Sequence, residues 1–241
     1  MENLRLKDRK NTDLFEFDKN IKTNSLNTLL GFELEKFQYI IGTDEAGRGP
    51  AAGGVWAAAV CFKENIDKNL FIKLNDSKKL THKIRQELFE VIKENSIWSI
   101  KAVNVEKIEK INILNASLLA MKYAAEEVIN KIQSTNVITI ADGNKLIKNF
   151  PYPQQFIIKG DSKSASIAAA SILAKVSRDM YMDNIDKEFP EYDWKNNKGY
   201  LTKKHIESIQ KYGTTKYHRI SFLKNIINKS PRYESEAIII N

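Results

Sequence analysis

A short polar segment between two apolar runs constrains this chain most strongly. Residues 42–50 read GTDEAGRGP, which places Asp44 and Glu45 side by side, ahead of an arginine between two glycines. The flanking runs, residues 39–41 and 55–60, have the composition of buried β-strands. The segment is therefore predicted to join two strands of a hairpin and to carry two carboxylates at the rim of a buried sheet.

The rest of the chain alternates between strand and helix patterns. Strands are predicted at residues 37–44, 53–62, 97–103, 137–140 and 156–158, and helices at residues 81–95, 112–132, 162–189, 202–212 and 218–228. Thr81 is suited to cap the first of these helices. This order predicts an α/β fold in which one mixed sheet is covered by helices and followed by a helical C-terminal segment.

The bulk composition predicts a protein of the reducing cytoplasm without a membrane anchor. The chain has 241 residues, 42 % of them hydrophobic, and a single cysteine, Cys61, which excludes an internal disulfide. No apolar run approaches the ~18 residues that cross a bilayer. We expect an N-terminal extension over residues 1–36, irregular or partly helical, then a catalytic core over residues 37–190 and a basic C-terminal segment over residues 191–241.

The positive charge is concentrated at the C-terminus. The formal net charge is +8, and residues 195–241 hold ten lysines and arginines against three acidic residues, whereas residues 1–35 hold six against seven. A localised basic surface is typical of proteins that bind polyanions such as nucleic acids. A solvated lysine-rich face is the alternative, because lysine is frequent throughout the chain.

Four acids fall at predicted strand ends or at a strand-to-helix junction. They are Asp44, Glu45, Asp142 and Asp161. Catalytic groups of open α/β sheets tend to lie beyond strand ends, and several carboxylates that converge there stay ionised together around a hard cation such as Mg²⁺ or Mn²⁺. Each has an ordinary alternative: Asp142-Gly143 is a common turn pair, and Asp161 is placed to cap a helix.

Several separated motifs together resemble bacterial ribonuclease HII, a type 2 ribonuclease H. The resemblance covers residues 38–223 and rests on GTDEAGRGP at 42–50, NDSKKL at 75–80, ILNASLLAM at 113–121, ADGN at 141–144, KGDSKS at 159–164, IAAASILAKVSRD at 167–179, KGY at 198–200 and YGTTKYHRISF at 212–222. One departure is Gly54, which stands where the family usually has proline.

The resemblance implies a ribonuclease H-like fold with a five-stranded mixed sheet flanked by helices. It implies a monomer that hydrolyses the RNA strand of RNA–DNA hybrids and incises 5′ to single ribonucleotides in duplex DNA, with roles in ribonucleotide excision and primer removal. Two divalent ions, Mn²⁺ or Mg²⁺, would be held by Asp44, Glu45, Asp142 and Asp161. Asp179 matches a motif too, but its position deep within a predicted helix indicates a structural role.

Further residues are predicted, by the same resemblance, to contact substrate. Gly47, Arg48 and Gly49 would approach the sugar-phosphate and, with Tyr200, sense the ribose 2′-hydroxyl. Phosphate contacts are expected from Ser77, Lys78 and Lys163. The alternatives are a buried core tyrosine at 200 and ordinary helix-start loops at the other three positions.

Neither His205 nor His218 is assigned a catalytic role, and the small residues 168–171 are expected only to let a helix lie close to the sheet.

Three alternatives to ribonuclease HII agree less well with the sequence. Ribonuclease HIII has a sizeable N-terminal domain and lacks the GRG loop. A non-catalytic hybrid-binding protein would be expected to lack a metal ligand, and a purely structural basic module would not explain the placed carboxylates.

Overall fold

The computed structural model of the protein describes residues 14–23, 37–75 and 77–227. Residues 14–23 form helix α1. The strands that follow are β1 (Tyr39–Ala46), β2 (Val55–Phe62), β3 (Ser96–Val103), β4 (Val137–Asp142) and β5 (Gln154–Ile157). The remaining helices are α2 (His82–Asn95), α3 (Val105–Ile132), α4 (Ala165–Glu188), α5 (Trp194–Asn197), α6 (Lys203–Tyr212) and α7 (Ile220–Ile227).

The five strands form one mixed sheet in the order β3-β2-β1-β4-β5. The hairpin of β1 and β2 is antiparallel, as predicted, and β3 extends it antiparallel on the outer side of β2. On the other side, β4 and then β5 run parallel to β1. The predicted α/β fold with a five-stranded mixed sheet, flanking helices and a helical C-terminal segment is therefore confirmed.

Two hydrophobic cores lie on opposite faces of the sheet. On one face α3 packs through residues such as Met121 and Val128 against Ile41 of β1. On the other face α4 packs with α2 and the even-numbered side chains of β2, among them Val60. Because strand side chains alternate, the nearly uniform burial of β2 follows from helices covering both faces.

α4 lies unusually close to the central strand. A Cβ atom placed on Gly42 of β1 would lie 2.2 Å from the carbonyl carbon of Ser166, so only glycine fits at this crossing. The small residues of α4 that follow, Ala168, Ala169 and Ala170, are fully buried in the same contact. Their predicted role in close helix–sheet packing is confirmed.

The helix predicted at residues 112–132 starts earlier than expected. α3 begins at Val105, where Asn104 caps it by accepting a hydrogen bond from the amide of Lys107 at 2.9 Å. Asn112 has a φ of 63° and interrupts the helix, and its side chain accepts a hydrogen bond from the amide of Asn115 at 3.1 Å. The predicted start at residue 112 therefore marks an internal kink that is capped like a helix start.

The start of α4 also differs from its prediction. A separate 3₁₀ turn, Gly160–Ser162, precedes the helix, which begins at Ala165. Ser164 caps it by accepting a hydrogen bond from the amide of Ile167 at 3.1 Å. The reading of Asp161 as the cap of this helix is therefore wrong.

The predicted start of the core at Phe37 misses the contribution of α1. Leu14 is buried in the core beside α4, and the ring of Phe15 lies 5.1 Å from that of Phe62. Asp18 is also buried, and it accepts a hydrogen bond from the amide of Ser166 at 2.8 Å. This part of the extension is thus helical and docked on the domain, whereas the ends of the chain lie outside the described residues.

Candidate functional site

The carboxyl ends of β1 and β4 bring three acids together. The two strands run parallel with Thr43 opposite Ala141, so that the next residues, Asp44 and Asp142, are neighbours across the sheet. Glu45 follows directly on β1. Because parallel strands end at the same edge of a sheet, the register alone places this acidic group where α/β proteins usually bind ligands.

Burial and neighbouring negative charges disfavour the ionised forms of the two adjacent acids, Asp44 and Glu45. Burial, and then the charges of Glu45 and Asp142, raise the pKa of Asp44 well above the ordinary value of an aspartate. Burial also raises the pKa of Glu45, with a further contribution from Asp142, while Arg48 at 3.4 Å acts against the shift. Carboxylates in this position remain ionised together when a cation lies between them.

The acids line a cavity of about 300 Å³ that also contains most of the predicted substrate contacts. Its walls are formed by Asp44, Glu45, Ala46, Gly47, Arg48, Gly49, Ser77, Lys78, Asp142, Ser171, Lys175, Arg178 and Tyr200. A larger cavity of about 680 Å³ lies beside the kink of α3, but Glu109 is the only acid in its lining. The smaller cavity, which combines acids, cations and an aromatic ring, is the candidate active site.

The glycines of the GRG loop, residues 47–49, are required by close contacts. Gly47 has a φ of 99°, and a Cβ atom there would lie 2.2 Å from Nε of Arg178. A Cβ atom on Gly49 would lie 3.3 Å from the ring of Tyr200, which is tighter than ordinary contact. Arg48 lies between them with its side chain half exposed, so its cation is available to a ligand in the cavity.

Tyr200 is a surface residue of this cavity. Its side chain is 52 % exposed, and its ring packs against Gly49. The alternative of a buried core tyrosine is therefore wrong. The backbone of Tyr200 is held in place by a buried side chain, because Nδ1 of His205 donates a hydrogen bond to the carbonyl oxygen of Tyr200 at 2.9 Å.

Two histidines support this segment without entering the cavity. His218 accepts a hydrogen bond from the amide of Thr215 through Nδ1, so the proton is on its Nε2, which lies 3.2 Å from Nε2 of His205. The indole of Trp194 donates to the same nitrogen of His205 at 3.1 Å, so the two N–H groups share its single lone pair. Both rings are buried.

Sequence reasoning missed three polar residues of α4 that line the cavity, Ser171, Lys175 and Arg178. The Ser171 hydroxyl lies 2.9 Å from that of Ser77, and a hydrogen bond from Ser171 acts to lower the pKa of Asp44. The sequence does contain a sign of this site, because Ser171, Lys175 and Arg178 are spaced by four and three residues and so lie on one face of the helix. Asp179 is buried and pairs with Lys175 at 2.7 Å, as expected for a structural acid.

Two predicted residues do not line the cavity. Asp161 lies in the 3₁₀ turn before α4, and Lys163 follows it with an exposed side chain. The turn nevertheless contacts the acidic group, because the amide of Gly160 donates a hydrogen bond to Oδ1 of Asp142 at 2.6 Å. A role for Asp161 as the fourth metal ligand stays a prediction.

The donor set suits a hydrated hard cation. In the described part of the chain, no group of three or more His, Cys, Asp or Glu side chains is arranged to hold a metal ion by itself. Mg²⁺ does not need one, since it usually keeps several waters and takes one or two carboxylates directly. Asp44, Glu45 and Asp142 supply only oxygen donors, which fit Mg²⁺ or Mn²⁺ better than zinc.

Comparisons with known sequences give a consistent family. The sequence profile of ribonuclease HII matches residues 41–225. The ribonuclease HII of Pelagibacter ubique is 50 % identical over 183 residues, which cover 76 % of this chain and 95 % of that protein. The ribonuclease HII of Caldicellulosiruptor bescii is 51 % identical over 195 residues, which cover 80 % of this chain and 91 % of that protein.

Solved structures show the same fold at lower identity. The crystal structure of ribonuclease H2 from Pyrococcus horikoshii matches with a TM-score of 0.64 at 22 % identity and covers 83 % of this chain and all of that one. The crystal structure of Bst-RNase HIII in complex with Mn²⁺ matches with a TM-score of 0.62 at 16 % identity, covering 80 % of this chain and 70 % of that one.

No helix in the described part of the chain has both the length and the apolar character to span a bilayer.

The match of the family profile extends over most of the chain, and relatives that are about 50 % identical align along nearly their whole length. The chain therefore belongs to the ribonuclease HII family of metal-dependent endoribonucleases, which act on RNA–DNA hybrids.

Proposed function

We propose that the protein hydrolyses the RNA strand of RNA–DNA hybrids and also incises 5′ to single ribonucleotides embedded in duplex DNA. The products would carry 3′-hydroxyl and 5′-phosphate ends, as needed for removal of misincorporated ribonucleotides and of RNA primers. The supporting observation is that Asp44, Glu45 and Asp142 share one cavity with the GRG loop and Tyr200. Chemistry and ribose recognition would thus occur in the same place.

The acidic group would hold the metal ions of the reaction. Two divalent ions, Mg²⁺ or Mn²⁺, bound by Asp44, Glu45 and Asp142 with Asp161 as the predicted fourth ligand, would supply an activated water and stabilise the departing 3′-oxygen. Elevated pKa values of the two adjacent acids in the absence of cations are consistent with such a site, because bound cations favour their ionised forms.

Cations and the aromatic ring would position the nucleic acid. Arg48, Lys78 and Lys175 line the cavity around the acids and are placed to neutralise phosphates. Tyr200 presents an exposed ring beside Gly49, where it would stack on the sugar or base at the RNA-to-DNA junction. The 2′-hydroxyl is the group that distinguishes RNA from DNA at such a contact.

The test is cleavage of a labelled DNA duplex that contains one ribonucleotide, with Mg²⁺ or Mn²⁺, in parallel with a long RNA–DNA hybrid. We expect incision on the 5′ side of the ribonucleotide and cutting of the hybrid. Cutting of the hybrid alone would remove the junction-sensing part of the proposal. Tight binding to both substrates without cutting would favour the non-catalytic alternative.

A substitution separates catalysis from binding. Asp142→Asn removes one charge from the acidic group and should abolish cleavage while hybrid binding, followed by fluorescence anisotropy, persists. Asp67→Asn is the matched control, because Asp67 is an exposed acid on the loop after β2 and lies outside the cavity. Full activity of Asp142→Asn would contradict the assigned site.

A further inference from the structure

Arg219 is a buried cation that contacts the backbone of the GRG loop. It precedes α7 and is fully buried. Its Nη2 donates hydrogen bonds to the carbonyl oxygens of Gly47 and Gly53, both at 2.7 Å. Its Nη1 donates to the carbonyl oxygen of Arg48 at 3.2 Å, and its Nε donates to that of Gly53 at 2.9 Å. One guanidinium thus joins both ends of the loop between β1 and β2.

The backbone around Arg219 completes the attachment of this loop to the C-terminal segment. The amide of Arg219 donates to the carbonyl oxygen of Ala51 at 2.7 Å, and the amide of Gly53 donates to that of Tyr217 at 2.8 Å. On the opposite side, Nη2 of Arg178 donates to the carbonyl oxygen of Ala52 at 3.1 Å. The carbonyl groups of the loop are therefore directed inward, toward two buried arginines.

The direction of the carbonyls determines the direction of the amides. In a planar trans peptide the C=O of one residue and the N–H of the next point in opposite directions. Because the carbonyls of Gly47 and Arg48 point to Arg219, the amides of Arg48 and Gly49 point away from it. The hydrogen bonds of Arg219 thereby specify the orientation of the polar groups that the GRG loop presents.

The chemistry of the contact requires arginine. A buried cation is costly unless its donors are satisfied, and a planar guanidinium has five donors in a rigid fork that can reach several carbonyls at once. Lysine has three donors on a single nitrogen and could not bridge the same carbonyls with the same geometry. Glu109, the acid that acts on Arg219 electrostatically, accepts hydrogen bonds from the amide and hydroxyl of Ser221 instead.

We propose that Arg219 is a positioning residue through which the C-terminal segment sets the conformation of Gly47–Gly49 for recognition of the ribose at an RNA-to-DNA junction. This inference rests on the proposed function. Within the described residues, the side-chain hydrogen bonds of Arg219 go to backbone carbonyls of the loop and none goes to the acidic group. Its removal should therefore impair selection of single ribonucleotides much more than metal binding, because Asp44 and Glu45 are held by the strand β1.

The experiment compares Arg219→Lys with the wild-type chain on two substrates, a duplex with one ribonucleotide and a long RNA–DNA hybrid. We expect KM for the single-ribonucleotide duplex to rise at least tenfold. The ratio of kcat/KM between the two substrates should fall by a similar factor, while Mn²⁺ affinity measured by calorimetry changes less than twofold. Arg219→Gln, which keeps two N–H donors on a single nitrogen, provides a second variant.

A control variant separates positioning from general loss of stability. Tyr192→Phe removes the hydrogen bond from the Tyr192 hydroxyl to the carbonyl oxygen of Gly213, 2.9 Å long, within the buried cluster that Tyr192 forms with Trp194, Ile209 and Leu223. It should leave the substrate ratio unchanged. An unchanged ratio of kcat/KM between the two substrates in a folded Arg219→Lys protein would overturn the proposal. Failure of both Arg219 variants to fold would also overturn it, because the arginine would then stabilise the whole domain.

Hydrogen exchange keeps the test independent of the proposed activity. In Arg219→Lys, the amides of Ala51 and Gly53, which donate hydrogen bonds to the carbonyl oxygens of Gly199 and Tyr217, should exchange at least tenfold faster, whereas those of β1 and β4 stay protected. If the wild-type protein cuts neither substrate, the proposed function fails while the exchange comparison still decides whether Arg219 orders the loop. Unchanged exchange at Ala51 and Gly53 would overturn the positioning role.

Discussion

Asp18 offers a quantitative test of how the extension docks on the domain. Its carboxylate is 5 % exposed and accepts a hydrogen bond from the amide of Ser166 near the start of α4. Its other oxygen, Oδ1, is buried without a hydrogen-bond partner among the described residues. Burial therefore raises the pKa of Asp18 from 3.8 to about 6, against the opposing effect of hydrogen bonds from Ser164 and Ser166.

The direction of the pH effect follows from this shift. Between pH 3.8 and about 6 the folded protein binds more protons at Asp18 than the unfolded chain does, so stability falls as the pH rises through this window. One pKa unit corresponds to about 1.4 kcal/mol, so the ionised carboxylate costs about 3 kcal/mol above pH 6. Asp18→Asn keeps an acceptor for Ser166 and removes the charge, but its NH2 group takes the position of the unpaired Oδ1, and a buried donor without a partner offsets about 1 kcal/mol of the gain.

We therefore expect Asp18→Asn to be about 2 kcal/mol more stable than the wild-type protein at pH 8 and no more stable at pH 4. Urea unfolding followed by tryptophan fluorescence measures both values. Asp67→Asn is again the control, since it also removes a carboxylate that accepts a backbone hydrogen bond, from Asn69, but does so at an exposed position away from α4. A stability difference for Asp18→Asn that does not grow with pH, or that favours aspartate at pH 8, would refute the reasoning.

Three further predictions concern packing, acid stability and metal. In Gly42→Ala, the new methyl group would lie 2.2 Å from the carbonyl carbon of Ser166, where ordinary contact begins at 3.4 Å. Urea unfolding should show a loss of at least ~1–3 kcal/mol from this overpacking, and wild-type stability would contradict the close crossing of α4. Burial and the neighbouring His205 lower the pKa of His218 from 6.5 to about 3, so stability should fall as the pH drops below 6.5, and His218→Phe should flatten that dependence in thermal melts. Excess EDTA should abolish cleavage without unfolding the protein, and strong cleavage in EDTA would rule out the metal site.

The sequence predicted those parts of the fold that depend on local pattern. All five strands and the helices α2 and α6 were located near their bounds, because alternation and helical periodicity are visible within a few residues, whereas the four-residue helix α5 was not predicted. The start of α3 was misplaced at Asn112 because an asparagine that caps an internal kink resembles one that caps a helix start. The start of α4 was misplaced because a 3₁₀ turn and a helix share the same local composition.

Only part of the candidate site was predicted from the sequence, for a similar reason. Asp44, Glu45 and Asp142 stand at strand ends, where the sequence already indicates a ligand site. Ser171 and Arg178 were missed because their contribution depends on which face of α4 meets the sheet. That choice follows from the approach of the helix to Gly42, a contact across more than one hundred residues of chain.

The sequence by itself determined the strand-end acids, the glycine loop between β1 and β2, and the family to which they belong. Only the tertiary structure showed that Asp18 docks the extension on α4, that Tyr200 lies exposed against Gly49, and that Arg219 holds the carbonyls of the GRG loop. The physical reason is that each of these roles depends on burial and on hydrogen bonds between residues far apart in the chain. Local propensity cannot identify such pairs, because they form only when the sheet and its helices pack together.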